Sequence, residues 1–136
     1  MTIKQLTIFL ENRTGRINEV AKILGAGGIN MKAFSMAETS DFGLLRLIVS
    51  DVDKAVQVLR DASFAVMLTD VACISATNVP GALSVILDRL AANDIFIEYM
   101  YAFSEGDMAN IVIRTNDLDR CIDILSECQC TLIETV

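Results

Sequence analysis

The sequence predicts an α+β chain made of two tandem β-α-β-β-α-β units, each an antiparallel sheet with its helices on one face. Three observations carry that prediction. The 136-residue chain lies on itself without a gap when it is shifted by 66 residues. Apolar stripes of helical period recur at that shift. Short runs that read as strands, bounded by turn-like stretches, fall between the stripes in the same order both times.

The first repeat opens with a predicted strand over residues 4–10. Asn12-Arg13-Thr14-Gly15 follows as a tight entry into a helix. Ile17, Val20, Ala21 and Leu24 are spaced i, i+3, i+4, i+7, one apolar face of an α-helix. Gly25, Gly27 and Gly28 then stand where C-cap glycines belong. Strands over 30–38 and 44–50 come next, separated by the turn-like "TSDFG". Asp51 is a predicted N-cap for a second helix whose stripe is Val52, Ala55, Val56 and Leu59. Residues 64–69 complete the unit as a fourth strand.

Sixty-six residues on, the same grammar returns. A strand over 71–76 leads into Asn78-Val79-Pro80-Gly81 and a stripe of Leu83, Ile86, Leu87 and Leu90. Strands over 96–103 and 110–115 flank "SEGDM". Asp117 precedes Leu118, Cys121, Ile122 and Leu125, and residues 130–135 close the chain as a strand. This order is the ferredoxin-like βαββαβ arrangement, with domains predicted over 1–70 and 71–136. Residues 64–76 hold no Gly or Pro, so the last strand of one repeat is expected to run almost directly into the first strand of the next.

Composition narrows the function. The net charge is −7, and all of it falls in residues 71–136, which carry three basic and ten acidic residues; residues 1–70 carry eight of each. No basic stripe for nucleic acid is present, and an acidic surface is repelled by anionic lipid. No apolar run approaches the roughly 20 residues a membrane span needs. Charges interrupt the N-terminal apolar stretch, so no secretory signal is read and a cytoplasmic location is expected. Histidine is absent, which removes the commonest general base and metal ligand. Cys73, Cys121, Cys128 and Cys130 lie in apolar-patterned segments and read as reduced, buried thiols. The Cys128-x-Cys130 spacing is too short for the usual zinc pair. "GAGG" at 25–28 follows a helix instead of opening one, so it reads as a helix stop and not a phosphate loop. No nucleophile and base stand in a catalytic pattern, so no enzyme activity and no cofactor are expected.

The stretch "ENRTGRINEVAKILGAGGINM" and, more loosely, "ATNVPGALSVILDRLAANDIFIEY" resemble the ACT domain, a small regulatory ligand-binding module. Asn12, Gly15 and Gly28-Ile29-Asn30-Met31 match its pattern in the first repeat. Asn78 and Pro80-Gly81 match in the second, where Phe96 replaces the second Asn. The resemblance covers the whole chain as two copies. It implies a non-catalytic sensor of amino-acid metabolism that binds a free amino acid at interfaces of paired domains and acts on a separate enzyme of that metabolism. A homodimer is expected because the second and fourth strands read as sheet edges that need covering, and symmetric pairing is common. A ligand-free assembly subunit of a biosynthetic enzyme is the alternative. The ligand-binding residues it implies are Asn12, Arg13, Thr14, Gly15, Arg16, Ile17, Ile29, Asn30 and Met31. Their counterparts in the second repeat are Asn78, Val79, Pro80, Gly81, Ala82, Leu83, Ile95 and Phe96.

Elementary chemistry supports such a site. A helix start presents unsatisfied N–H groups and a partial positive potential that suit a carboxylate. Gly15 removes a Cβ from the approach, and Asn12 and Asn30 each carry a donor and an acceptor for a zwitterion. Asn-x-x-Gly before a helix also suits a simple turn and cap. Arg13 and Arg16 favour the first loop as a carboxylate site, since Val79 and Ala82 replace them in the second. Phe96, Tyr99 and Tyr101 either line a side-chain pocket or pack.

Overall fold

Thirteen residues separate the start of β4 from its end, and within that single strand one repeat hands over to the next. The computed structural model describes residues 2–11, 13–38, 42–128 and 131–133. Its elements run β1 (Ile3–Glu11), α1 (Arg16–Ala26), β2 (Met31–Glu38), β3 (Phe42–Val49), α2 (Val52–Asp61), β4 (Ala65–Thr77), α3 (Ala82–Ala92), β5 (Ile97–Glu105), β6 (Met108–Thr115), α4 (Leu118–Ser126) and β7 (Thr131–Leu132). The expected near-junction of two strands is thus one 13-residue strand. With no turn residue to break it, the extended chain simply continues. The chain divides into two units, Lys4–Thr69 and Asp70–Thr135.

In the first unit the strand order is β2-β3-β1-β4. β3 is antiparallel to both neighbours, pairing Leu47 with Leu6 on one side and with Phe34 on the other. The second unit repeats the order as β4-β6-β5, with β7 pairing β4 on the other side. The last strand, expected over 130–135, is described only as Thr131–Leu132; Cys130 and residues 134–135 of that expectation lie outside the described residues.

Each unit has its own core between sheet and helices. Leu6, Ile8 and Leu10 of β1 and Leu45 and Leu47 of β3 meet Val20, Leu24, Ala55 and Leu59 from the helices. Ile74, Ile111 and Ile113 meet Ile86, Leu90, Cys121 and Leu125 in the second unit. The helical stripes therefore face their sheets as the spacing predicts. Ile17, Ala21 and Leu83 depart from the stripe. Ala21 is exposed, and Ile23 packs on the core instead. Ile17 and Leu83 begin their stripes in sequence, yet they are 38% and 41% exposed and line openings at the helix starts.

The helices start in two different ways. Asp51 accepts from the Lys54 N–H at 3.1 Å, and Asp117 accepts from the Arg120 N–H at 3.1 Å, so α2 and α4 carry side-chain N-caps. α1 and α3 start instead at Gly15 and Gly81, in the left-handed region at φ 92° and 88°, with no side-chain cap. Gly28 at φ 72° ends α1's exit turn, while Asp94 takes the same handedness at φ 55° after α3.

Cys73 and Cys121 are fully buried free thiols, and Cys128 is half-buried. Burial, aided by the Glu105 carboxylate, pushes the Cys73 thiol up to about 12. Burial raises Cys121 too, partly opposed by the Thr115 hydroxyl.

Two outcomes follow for stability. Asp51→Ala and Asp117→Ala are each expected to cost about 1 kcal/mol, and Leu24→Ala and Leu90→Ala about 2–5 kcal/mol, read from urea unfolding midpoints. The raised thiol predicts the second. Between pH 9 and 12 the unfolded chain has lost the Cys73 proton that the folded chain keeps, so stability falls as pH rises through that window. Cys73→Ala removes up to about 1.4 kcal/mol per pH unit of that fall, measured by unfolding at stepped pH.

Candidate functional site

The reversal between β1 and α1 is short. β1 ends at Glu11 and α1 begins at Arg16, so Gly15 must take a backbone conformation other residues resist. A Cβ built on Gly15 meets nothing within 4 Å, so the constraint is conformational, and the space above the loop is open.

That space is a pocket of about 470 Å³, within the ~300–1,000 Å³ typical of small-molecule sites. Its walls come from four segments. Leu10 and Glu11 end β1; Arg13, Thr14, Gly15, Arg16 and Ile17 form the loop and first helical turn. Met36, Ala37 and Glu38 end β2, and Gly43 opens β3. Among the described residues, two cations, two carboxylates and three larger apolar side chains, Leu10, Ile17 and Met36, therefore face one opening. The exposure of Ile17 has its reason here, since the residue belongs to the pocket wall.

Arg16 is the anchored charge of this group. Its side chain is 13% exposed and its guanidinium lies 4.3 Å from the centre of the Phe64 ring, a cation–π contact. Nη1 donates to Glu19 Oε2 at 2.6 Å, and Nη2 lies 3.9 Å from Glu11 Oε1. Nε is buried with no hydrogen-bond partner. An unmet donor of this kind carries a desolvation cost of about 1–3 kcal/mol until an acceptor arrives. Arg13 is far more exposed and pairs with Glu11 at 3.4 Å.

The residues named from sequence fall into separate places. Arg13, Thr14, Gly15, Arg16 and Ile17 come together in the pocket. Asn12 lies outside the described residues. Ile29, Asn30 and Met31 sit at the other end of α1, which spans about 16 Å at 1.5 Å per residue. Within one chain Asn30 therefore does not share an opening with Gly15. A helix that returns antiparallel to β1 puts its exit at the opposite end of the sheet from its entry.

What occupies that far end is structural. Ile29 is buried in the first core and Met31 packs against it. The Asn30 N–H donates to Ser50 Oγ at 2.9 Å, and its carbonyl accepts from the Ser50 N–H at 3.0 Å, while its residue stays exposed. The second unit makes the same latch between Phe96 and Asn116, at 3.1 and 3.2 Å. Residues 30 and 96 give only backbone groups to the latch, and the side-chain acceptor comes from Ser50 or Asn116, which is why Phe can stand where Asn stood. Ile95 is buried in the second core, and Phe96 is exposed.

The second loop also has a pocket, smaller at about 230 Å³. Asn78, Val79, Ala82 and Leu83 line it, with Ala76 and Thr77 before them and Met100, Tyr101 and Ala102 of β5 opposite. Pro80 and Gly81 shape the loop without lining the pocket. The Asn78 N–H donates to the Asp107 carbonyl at 2.9 Å, tying the loop to the β5–β6 turn.

Sequence reasoning missed Leu10, Glu11, Met36, Ala37, Glu38 and Gly43. The signal was in the topology: β2 runs parallel to β1, so their ends coincide. Among the described residues, no cluster of His, Cys, Asp and Glu is arranged to hold a metal, and no helix is long and apolar enough to cross a membrane.

Comparison with known proteins now gives this geometry a context. The sequence profile of the family described as ACT domain pair matches residues 1–135. The crystal structure of protein BT0572 from Bacteroides thetaiotaomicron is 51% identical, with a TM-score of 0.92 over 98% of this chain and 92% of that one. The ligand-free regulatory subunit of aspartate kinase from Thermus thermophilus is 13% identical, with a TM-score of 0.67 over 93% and 91% of the two chains. The regulatory subunit of aspartate kinase from Thermus flavus is 14% identical, with a TM-score of 0.62 over 91% and 90%. At such identities these two share the fold. No curated protein matches the chain. A profile match over almost the whole length, a half-identical relative and the doubled βαββαβ fold together mean that the chain belongs to the ACT domain pair family.

Proposed function

We propose that this protein is a non-catalytic regulatory protein that senses a free amino acid in the pocket at the start of α1. One observation carries the reading: that pocket offers both signs of charge beside an uncapped helix start and an apolar wall. A zwitterion needs an acceptor set for its ammonium and a donor set for its carboxylate. Glu11 and Glu38 are suited to the first. The α1 N–H groups, Arg13 and Arg16 are suited to the second. Leu10, Ile17 and Met36 are left for an apolar part of the side chain.

Regulation follows by linkage. A ligand that favours one arrangement shifts its population and changes the affinity for a partner by the same factor. The proposed partner is a separate enzyme of amino-acid metabolism, in the cytoplasm, where buried thiols stay reduced. The proposed assembly is a homodimer. β2 is an edge strand of its sheet, with Phe34 62% and Met36 58% exposed, and such an edge calls for cover. Asn30 and its neighbours, at the far end of α1, would reach a ligand only when carried by a second chain.

The test is a thermal-shift screen of the purified protein against the twenty amino acids at millimolar concentration. A saturable rise in melting temperature is expected for one or a few of them, since selective binding to the folded state stabilises it. No rise with any amino acid would leave the assembly-subunit reading standing in its place. Gly15→Asp puts a carboxylate at the helix start and is expected to abolish the rise. Gly15→Asn carries the same backbone strain without the charge and is expected to keep most of it.

A further inference from the structure

We infer that each chain takes one zwitterion, in the pocket of the first repeat, and that the second pocket, on an equivalent backbone, admits none. The inference rests on the function proposed above and assigns its site and stoichiometry.

The two loops match in backbone. Gly15 and Gly81 sit at φ/ψ of 92°/−4° and 88°/−13°, and α1 and α3 each run 11 residues from positions 66 apart. Neither helix has a side-chain cap. A helix start therefore cannot distinguish the two pockets, and whatever does must lie in the side chains.

The side chains differ in every charge. At the positions of Glu11, Arg13 and Arg16 the second repeat has Thr77, Val79 and Ala82. Among the described residues, no charged one lines the second pocket, whereas four line the first. The second pocket has about half the volume, 230 against 470 Å³. Its Ala82 N–H is already donated to the Val79 carbonyl at 3.3 Å, which takes up one helix-start donor. An ammonium and a carboxylate entering there would shed water against Val79, Leu83, Met100 and Ala102 with no counter-charge to meet them. The first pocket presents charge to both ends of such a ligand. Arg16 is held over Phe64 and braced by Glu19, so a fixed guanidinium stands in the pocket wall to meet a ligand carboxylate. Arg16 is thus the residue that sets which repeat binds.

Equilibrium dialysis of the full chain against each of the twenty radiolabelled amino acids tests this. The expected result is one molecule bound per chain at saturation. Arg16→Met keeps a long side chain over Phe64, removes the charge, and is expected to weaken binding about 10- to 100-fold. Gly81→Asp is expected to leave both affinity and stoichiometry unchanged, and circular dichroism of each variant checks that it folds. Two molecules per chain would overturn the inference and leave the proposed function intact. So would a single molecule that Gly81→Asp expels and Arg16→Met retains. Binding of no amino acid would overturn the function and this assignment with it.

Discussion

The glycine that turns the chain from β1 into α1 governs most of what lies around it. Four residues separate the end of the strand from the start of the helix, and the reversal needs a left-handed residue at its last position. At φ 92° Gly15 supplies it without a Cβ clash. That conformation has a second effect. A glycine has no side chain with which to accept from the first N–H groups of the helix, so α1 starts uncapped, while α2 and α4 are capped by aspartates. Just inside the helix, Ile17 is exposed and lines the opening, not the core. The turn and the uncapped donors are consequences of one backbone state.

The two repeats hold that state in common and diverge around it. Backbone devices persist across the 66-residue shift even where side chains change. Asp94 takes the left-handed turn that Gly28 takes in the first repeat, and Asn116 replaces Ser50 as acceptor in the latch to the start of the second strand. Asp and Asn are the non-glycine residues best able to do this, because their short polar side chains tolerate the left-handed region or reach a nearby N–H. Charge was not held in common. The first repeat is neutral, with cations and anions interleaved at its loop, whereas the second carries the whole net charge of −7 away from its pocket. Across the 66-residue shift the backbone devices persist and the charges do not.

Much of this is legible in the sequence alone, because the signals are local. Helical stripes, aspartate caps and glycine turns depend on residues a few positions apart, and the repeat let each be read twice. What was not legible depends on residues that only the topology joins. Glu38 and Gly43 reach the pocket because β2 and β3 meet at the same sheet end as Leu10, a fact of strand order that no local pattern carries. Phe64 reads as one more apolar residue opening a strand, yet it lies under the Arg16 guanidinium from 48 positions away. Asn30 shows the complementary case. The motif groups it with Asn12 and Gly15 as a contact for a zwitterion, and within one chain a helix of 11 residues keeps the two ends apart.

The placement of β2 gives the proposed sensor a way to transmit occupancy. The strand lies at the edge of its sheet, and the same residues that line the pocket, Met36 to Glu38, are the end of that edge. Met36 has two possible neighbours, a ligand on the pocket side or a protein surface laid along the strand. An apolar side chain 58% exposed gains from either. A surface that covers β2 narrows the mouth of the pocket and removes water from Arg16 and Glu38, which strengthens their grip on a charged ligand. By reciprocity a bound ligand must strengthen that surface's hold on β2 by the same factor. Coupling of this kind needs no movement of the core. It needs only that ligand and partner share one strand end, and the order β2-β3-β1-β4 puts that end beside the helix start where a carboxylate would sit.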